Sequence, residues 1–402
     1  MKIAAVIAEY NPFHNGHEYM LRRIKQDYGY DYIVIIMSGD FVQRGECALL
    51  DKYTRTRMAL SGGSDLCIEL PVIFATGSAE YFAEGAISIL NGLGCIDTLF
   101  FGAEYDNPEY FQKIAGALVN EPDDYRSLFE NYMKQGLSVP SARARALKSH
   151  LNLSDAEADA LSSSNNILAI EYYKAAIRLS SKYNLIPILR NDDGYHGSES
   201  AEAIRHRLVE DSDYNLSSLP MPEASKHLLQ NALKRNSISH LNMYRSLIRY
   251  AIAQNKYKLF TYLDCNKDIA NKLINHLTDF SDTGSYIKLL KSKDITYTRL
   301  SRILIHILLG IDSERANIAK NSPDERYARI LGFSENAKNG LLSTIKKAAI
   351  IPLISKPSDY RPEGISAWMY ELDIYAADLF ENVLCDITGG NIIPDIIRTP
   401  NS

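Results

Sequence analysis

The sequence predicts an α/β fold: a parallel sheet covered by helices on both faces in the first half of the chain, then a mostly helical second half. Three observations carry this. Short apolar runs at residues 3–7, 32–37, 66–70, 98–101 and 185–189 alternate with helical stretches, the pattern of repeated βα units. The run at 3–7 is apolar throughout, as befits a strand buried on both faces. After about residue 211 the strand signals fade, and amphipathic patterns dominate residues 221–253, 257–280, 285–309 and 336–348.

Taken in order, the first run leads into the turn His14-Asn15-Gly16-His17, and the spacing predicts a helix from Gly16 to about residue 28. Further helices are expected at residues 52–60, 79–93, 108–119 and 167–180. Residues 123–164, helical, polar and serine-rich near Ser162-Ser163-Ser164, read as an insertion near the site's mouth. Residues 352–362, bounded by prolines, read as a loop. These elements divide the chain into residues 1–210 and 211–402. A ligand is expected over the carboxyl ends of the strands, where strand order reverses. His14 and His17, Ser38 to Asp40, Leu70-Pro71, Gly102 to Glu104 and Arg190 to Asp193 all follow strand ends.

Composition bounds the function. The chain has 402 residues, 46% of them hydrophobic, enough for two or three structural units. Cys47, Cys67, Cys95, Cys265 and Cys385 are scattered and odd in number, which argues against a disulfide framework or a zinc site and fits a reducing cytoplasm. Met1-Lys2 leads straight into the first strand, and no apolar stretch approaches the roughly 20 residues that span a bilayer. No membrane association and no obligate protein partner are indicated. The net charge of −5 counts against RNA binding unless basic residues gather locally; candidates are Arg143, Arg145 and Lys148; Arg205, His206 and Arg207; Lys288, Lys291, Lys293, Arg299 and Arg302; and Lys346 with Lys347.

The turn at His14 to His17 carries the chemistry. A helix N-terminus offers backbone N–H groups to phosphate, Gly16 allows close approach, and two imidazoles can donate to phosphoryl oxygens as charge builds. This points to attack at the α-phosphorus of a nucleotide; the rival reading is a helix cap beside a solvated histidine. Asp40 reads as a Mg²⁺ ligand, as a partner that holds a basic group, or as a cap of the turn Ser38-Gly39-Asp40. Arg44 and Lys52 read either as anion ligands or as a solvated loop pair. Gly102 marks a place where a side chain would occupy the nucleotide's space. Asn165 and Asn166 can cap the following helix and reach the nucleotide, and Arg190 is placed to meet triphosphate or ribose.

The segments Ala8-Glu9-Tyr10-Asn11-Pro12-Phe13-His14-Asn15-Gly16-His17, Ser38-Gly39-Asp40-Phe41-Val42-Gln43-Arg44-Gly45-Glu46, Glu69-Leu70-Pro71 and Phe101-Gly102-Ala103-Glu104 resemble the bacterial tRNA(Met) cytidine acetate ligases, a branch of the HIGH-type nucleotidyltransferase superfamily. The resemblance continues through Asn165 to Tyr172 and Lys291-Ser292-Lys293 to Arg326 to Phe333, and so covers most of the chain. It implies a Rossmann-like nucleotidyltransferase domain followed by a helical tRNA-binding domain. The implied enzyme adenylates acetate with ATP, with Mg²⁺ on the triphosphate, and passes the acetyl group to N4 of the wobble cytidine of elongator tRNA(Met). His14 and His17, with Asp40, are then the catalytic candidates. Ile7, Ala8, Glu9, Tyr10, Asn11, Pro12, Phe13, Asn15, Gly16, Gly102, Asn165, Asn166 and Arg190 would line the ATP site. Residues 197–205 resemble the superfamily's second signature through Ser198, Ser200, Ile204 and Arg205, which implies phosphate contacts from Ser200 and Arg205; Glu202 stands where threonine is expected. Cys47 replaces an expected proline and Asp294 an expected arginine. Lys291, Lys293, Arg299 and Arg302 are the tRNA-contact candidates. A small-molecule adenylyltransferase and a non-catalytic RNA-binding protein remain as other readings of the same residues.

Overall fold

The computed structural model describes residues 1–190, 200–210, 215–338, 340–390 and 393–400. In chain order its strands are β1 (Ile3–Ala8), β2 (Tyr32–Ser38), the short antiparallel pair β3 (Phe41–Val42) and β4 (Glu46–Cys47), β5 (Leu66–Leu70), β6 (Thr98–Ala103), β7 (Asn184–Leu189), β8 (Ala328–Phe333) and β9 (Leu353–Ile354). The helices of the first half are α1 (Asn15–Gln26), α2 (Lys52–Ser61), α3 (Val72–Ala75), α4 (Ala79–Leu93), α5 (Pro108–Asn120), α6 (Asp123–Lys134), α7 (Val139–Leu151), α8 (Asp155–Ala160), α9 (Ser164–Arg178) and α10 (Ala201–Glu210). Those of the second half are α11 (Glu223–Lys234), α12 (Arg245–Gln254), α13 (Lys267–Asn275), α14 (Thr283–Leu290), α15 (Tyr297–Leu309), α16 (Ser313–Lys320), α17 (Leu341–Ala348) and α18 (Gly364–Thr388).

One mixed sheet runs β7-β6-β1-β2-β5-β8-β9. Every neighbouring pair is parallel except β5 with β8. The chain starts in the middle at β1, moves outward through β2 and β5, then crosses to β6 and β7 on the other side. The reversal between β1 and β6 opens a crevice at the strands' carboxyl ends, as the α/β pattern requires. Side chains alternate strictly: Ile3, Ala5 and Ile7 face the core under α4, α5 and α9, whereas Ala4 and Val6 face Leu21 and Ile24 of α1 and Met58 of α2.

Local chemistry sets where helices begin. His14 is the N-cap of α1, and His17 closes a capping box back onto the His14 backbone. Asp51 caps α2 by accepting from the N–H groups of Tyr53 and Thr54. Arg55, fully buried in α2, donates to the carbonyls of Glu9 (2.6 Å), Ser38 (3.1 Å) and Leu50 (2.9 Å), and to that of Gly39. One guanidinium thus ties together the chain leaving β1 and β2.

The second half departs from the sequence reading at several points, among them residues 285–309, which form two helices (α14 and α15), and residues 352–362, read as a loop, which contain β9. Residues 328–333 form a strand inside the main sheet, so the part after 211 contributes β8 and β9 to it. The stretch read as amphipathic at 221–253 is two helices, parted near Asn236 at φ 53°. α18, 25 residues long, has no counterpart in the sequence reading. Residues 123–164 are helical as expected. Among the described residues no helix is long and apolar enough to cross a membrane, and the five cysteines are free thiols.

A buried ionic cluster joins the halves. Lys52 Nζ donates to Glu69 (2.8 and 3.1 Å) and Asp395 (2.9 Å), Arg329 of β8 donates to Asp395 (2.5 Å), and Tyr53 Oη donates to the same carboxylate (2.9 Å). Although burial opposes ionisation, Lys52 and Arg329 hold the Asp395 carboxyl well below the usual carboxylate range.

Candidate active site

A cleft of about 710 Å³ sits at the switch point, lined by the ends of β1 (Ile7, Ala8), β6 (Phe101, Gly102) and β7 (Ile188, Leu189). Five helices begin on its wall: Gly16 of α1, Ala79 of α4, Asn165 of α9, Ala201 of α10 and Thr298 of α15. Their dipoles all place partial positive charge toward the cavity. Arg44, Arg190 and Arg205 also line it, and among the described lining residues the one carboxylate is Glu9. Such a cleft is built for a polyanion.

The two histidines are set by backbone bonds. His14 Nδ1 accepts the Gly16 N–H at 3.0 Å, and His17 Nδ1 accepts the His14 N–H at 3.3 Å. The rings stack with centroids 3.8 Å apart. Since each Nδ1 is an acceptor, the proton of each neutral ring lies on Nε2. Burial first, then Arg190, lowers His14 to about 4; burial, then His14 and Arg190, holds His17 well below the usual imidazole range. Both rings therefore stay neutral at physiological pH and present Nε2–H donors. The contribution of His14 to stability is present above pH 6.5 and lost as pH falls toward 4, because the unfolded chain binds the proton first. Imidazole NMR of the ligand-free protein is expected to show two Nε2–H tautomers at pH 6, with His14 titrating near 4; an inflection near 6.5 for either ring would contradict this electrostatic account.

Other lining groups are held from behind. Glu9 accepts the Gln43 N–H at 2.9 Å, and burial raises its carboxyl. Arg205 donates to the Asn11 carbonyl (2.7 Å) and to Glu46 (3.3 Å). Arg44 pairs with Glu202, so the residue standing in for threonine neutralises a cleft arginine. Asn11 is 2% exposed and lines the cleft. Its Oδ1 accepts the Leu49 N–H at 2.8 Å, while Nδ2 has no partner among the described residues, leaving one donor for a ligand. Ser200 lines the wall and accepts the Ala203 N–H at 3.2 Å.

The structure brings Ile7, Ala8, Glu9, Tyr10, Asn11, His14, Gly16, His17, Gly102, Asn165, Arg190, Ser200 and Arg205 to one cavity. Other candidates do structural work. Phe13 is buried against Tyr10 and His17, Pro12 is buried beyond a cis bond, and the Asn15 N–H donates to the Pro220 carbonyl at 2.9 Å. Asn166, fully buried, bonds the Glu104 N–H and the Ala160 carbonyl, both at 2.9 Å. Asn165 donates to the Glu104 carboxylate at 2.5 Å from the cleft wall. Ser198 lies outside the described residues, as do Asn191 to Asp193.

The strand ends at Ser38 to Asp40 and Leu70-Pro71 do not reach the cavity. Asp40 is buried away from it and accepts the Lys52 N–H at 2.7 Å, the first N–H of the helix that Asp51 caps; burial pushes its carboxyl up to about 7. That environment, with the cations of Lys52 and Arg55 beside it, does not fit a resident Mg²⁺, and no group of three His, Cys, Asp or Glu side chains among the described residues forms a metal cage. Lys52 is consumed by the ionic cluster. Arg299 and Arg302 are turned onto Asp264, while Lys291 and Lys293 are exposed. Sequence reasoning missed Arg55 and Thr298; the N-cap threonine Thr296, which starts α15, was the available signal for the latter.

A family model described as HIGH Nucleotidyl Transferase matches residues 1–389. The chain is 39% identical to the tRNA(Met) cytidine acetate ligase of Clostridium acetobutylicum, over 94% of this chain and 95% of the relative. It belongs to the tRNA(Met) cytidine acetate ligase family of HIGH nucleotidyltransferases. The Acetivibrio thermocellus ligase is likewise 39% identical, over 96% and 95% of the two chains. Among solved structures, Thermotoga maritima TmcAL bound with alpha-thio ATP superposes with a TM-score of 0.88 at 28% identity, covering 96% of this chain and 95% of that one. The family likeness therefore spans both halves, β8, β9 and α18 included.

Proposed function

We propose that the cleft binds ATP and acetate, joins them as acetyl-AMP with release of pyrophosphate, and passes the acetyl group to N4 of the wobble cytidine of elongator tRNA(Met). The observation that carries this reading is the stacked pair of neutral histidines at the α1 N-terminus. A carboxylate nucleophile arrives already ionised, so attack at the α-phosphorus needs no general base. It needs donors for the charge that gathers on phosphoryl oxygens, and two Nε2–H groups beside a helix terminus supply them. The acetate oxygen forms a bond to the α-phosphorus as the bond to pyrophosphate breaks. The cytidine amine then attacks the carbonyl carbon, AMP leaves, and the amine loses a proton. Arg44, Arg190 and Arg205 meet the triphosphate, and Mg²⁺ enters on ATP as part of the substrate.

Incubating the protein with ATP, carbon-labelled acetate and unmodified elongator tRNA(Met) is expected to yield labelled N4-acetylcytidine after digestion. Labelling that ignores ATP, or product made only from acetyl-CoA, would overturn the reading.

Gly102 offers a local test. A Cβ there would lie 3.2 Å from Cδ and 3.3 Å from Cγ of Arg190, so Gly102→Val crowds the cleft and displaces a cation at once. ATP affinity, measured calorimetrically, is expected to fall by roughly one to two orders of magnitude, equivalent to about 1–3 kcal/mol of overpacking. Wild-type affinity would remove Gly102 from the nucleotide site.

A further inference from the structure

Residues 245–267 concentrate positive charge in a chain of net charge −5. They comprise α12, the turn Leu259–Thr261 and the first residue of α13. Arg245, Arg249, Lys256, Lys258 and Lys267 stand against one carboxylate, Asp264. All five cations are exposed and none makes an ion pair among the described residues, while Asp264 is taken by Arg302. Between them stand Tyr250, Tyr257 and Phe260, which are 64%, 83% and 45% exposed. Lys256 Nζ lies 4.7 Å from the Tyr257 ring centroid and Lys267 Nζ 5.8 Å from that of Phe260. The segment is anchored from beneath by the buried Ile248, Ile252 and Leu259, so these rings are displayed by packed elements.

Exposed rings interleaved with unpaired cations match an unstacked polynucleotide, whose bases offer π-faces and whose phosphates release counterions on contact. The patch is also joined to the cleft. Arg299 donates to the Asp264 carbonyl at 3.1 Å and Arg302 to its carboxylate at 3.2 Å, and Thr298, beside Arg299 in the first turn of α15, lines the cavity. That single turn bridges the two surfaces.

We propose that residues 245–267 form the docking surface for the single-stranded loop of the RNA substrate, with bases stacking on Tyr257 and Tyr250 and phosphates meeting the surrounding lysines and arginines. This surface rests on the RNA-acetylating function proposed for the cleft. The test uses the full-length protein with transcribed elongator tRNA(Met), its isolated anticodon hairpin, and a blunt RNA duplex of equal length. Tyr257→Ala is expected to raise the Kd for tRNA and hairpin roughly five- to hundredfold, with Tyr257→Phe close to wild type. Lys256→Gln with Lys258→Gln should make the salt dependence of binding shallower, by about 0.7 in log-log slope for each phosphate no longer neutralised. Acetate-dependent pyrophosphate exchange should be unchanged in all of these, because the substitutions lie outside the cleft. Wild-type affinity and slope in the variants of a protein that binds and acetylates tRNA would overturn this surface alone. Equal affinity of the wild type for the duplex would overturn the loop-stacking assignment. A wild type that neither binds nor acetylates tRNA would overturn the functional reading and this surface together.

Discussion

His14→Asn and His17→Gln should each slow acetate-dependent exchange of labelled pyrophosphate into ATP by on the order of 10² or more, the usual loss when one preorganised donor to a developing oxyanion is removed. Asparagine is chosen at position 14 because His14 is also the N-cap of α1, and alanine there would add a capping cost of about 1 kcal/mol. Asparagine keeps the cap and shortens the reach. The two rings are stacked and the His17 ring is held by the His14 N–H, so the double variant should lose less than the product of the single losses. Unchanged exchange in either variant would remove that histidine from the adenylation step.

The second large effect concerns stability. Lys52 and Arg329 each pair with both Glu69 and Asp395, and each of the four side chains is at most 4% exposed. Asp395→Ala leaves two buried cations facing one carboxylate and is expected to destabilise the fold by about 3–5 kcal/mol in urea unfolding. Combining Lys52→Met with Asp395→Leu should recover most of that loss, because a neutral packed pair replaces the ion pair and leaves Arg329 with Glu69. A single Asp395→Ala variant within about 0.5 kcal/mol of wild type would show that the C-terminal segment is not held by this cluster.

The sheet's first five long strands and the histidine turn were legible because their signals are local: apolar runs bounded by turn residues, and a cap followed by an amphipathic helix. What the sequence hid was long-range. Ala328–Phe333 carries Arg329 in its strand, and that arginine is tolerable only because Asp395 and Glu69 meet it from distant parts of the chain. α18 buries Ser366 and Asp373 among its apolar residues; Asp373 accepts from the Val72 N–H at 2.7 Å and from Tyr327 Oη at 2.5 Å, partners that no periodicity reveals. Asp40 follows a strand end, as catalytic carboxylates often do, yet its side chain turns to the start of α2. Position along the chain gave its neighbourhood and not its direction.

In the proposed reaction acetate itself attacks the α-phosphorus beside His14 and His17. A single turnover with [¹⁸O]acetate, unlabelled ATP and elongator tRNA(Met) tests it most directly, by mass analysis of the AMP released. Attack at phosphorus followed by aminolysis at carbon leaves one acetate oxygen on phosphorus, so each N4-acetylcytidine formed should be matched by one AMP carrying a single ¹⁸O. N4-acetylcytidine accompanied by AMP without ¹⁸O would contradict the account.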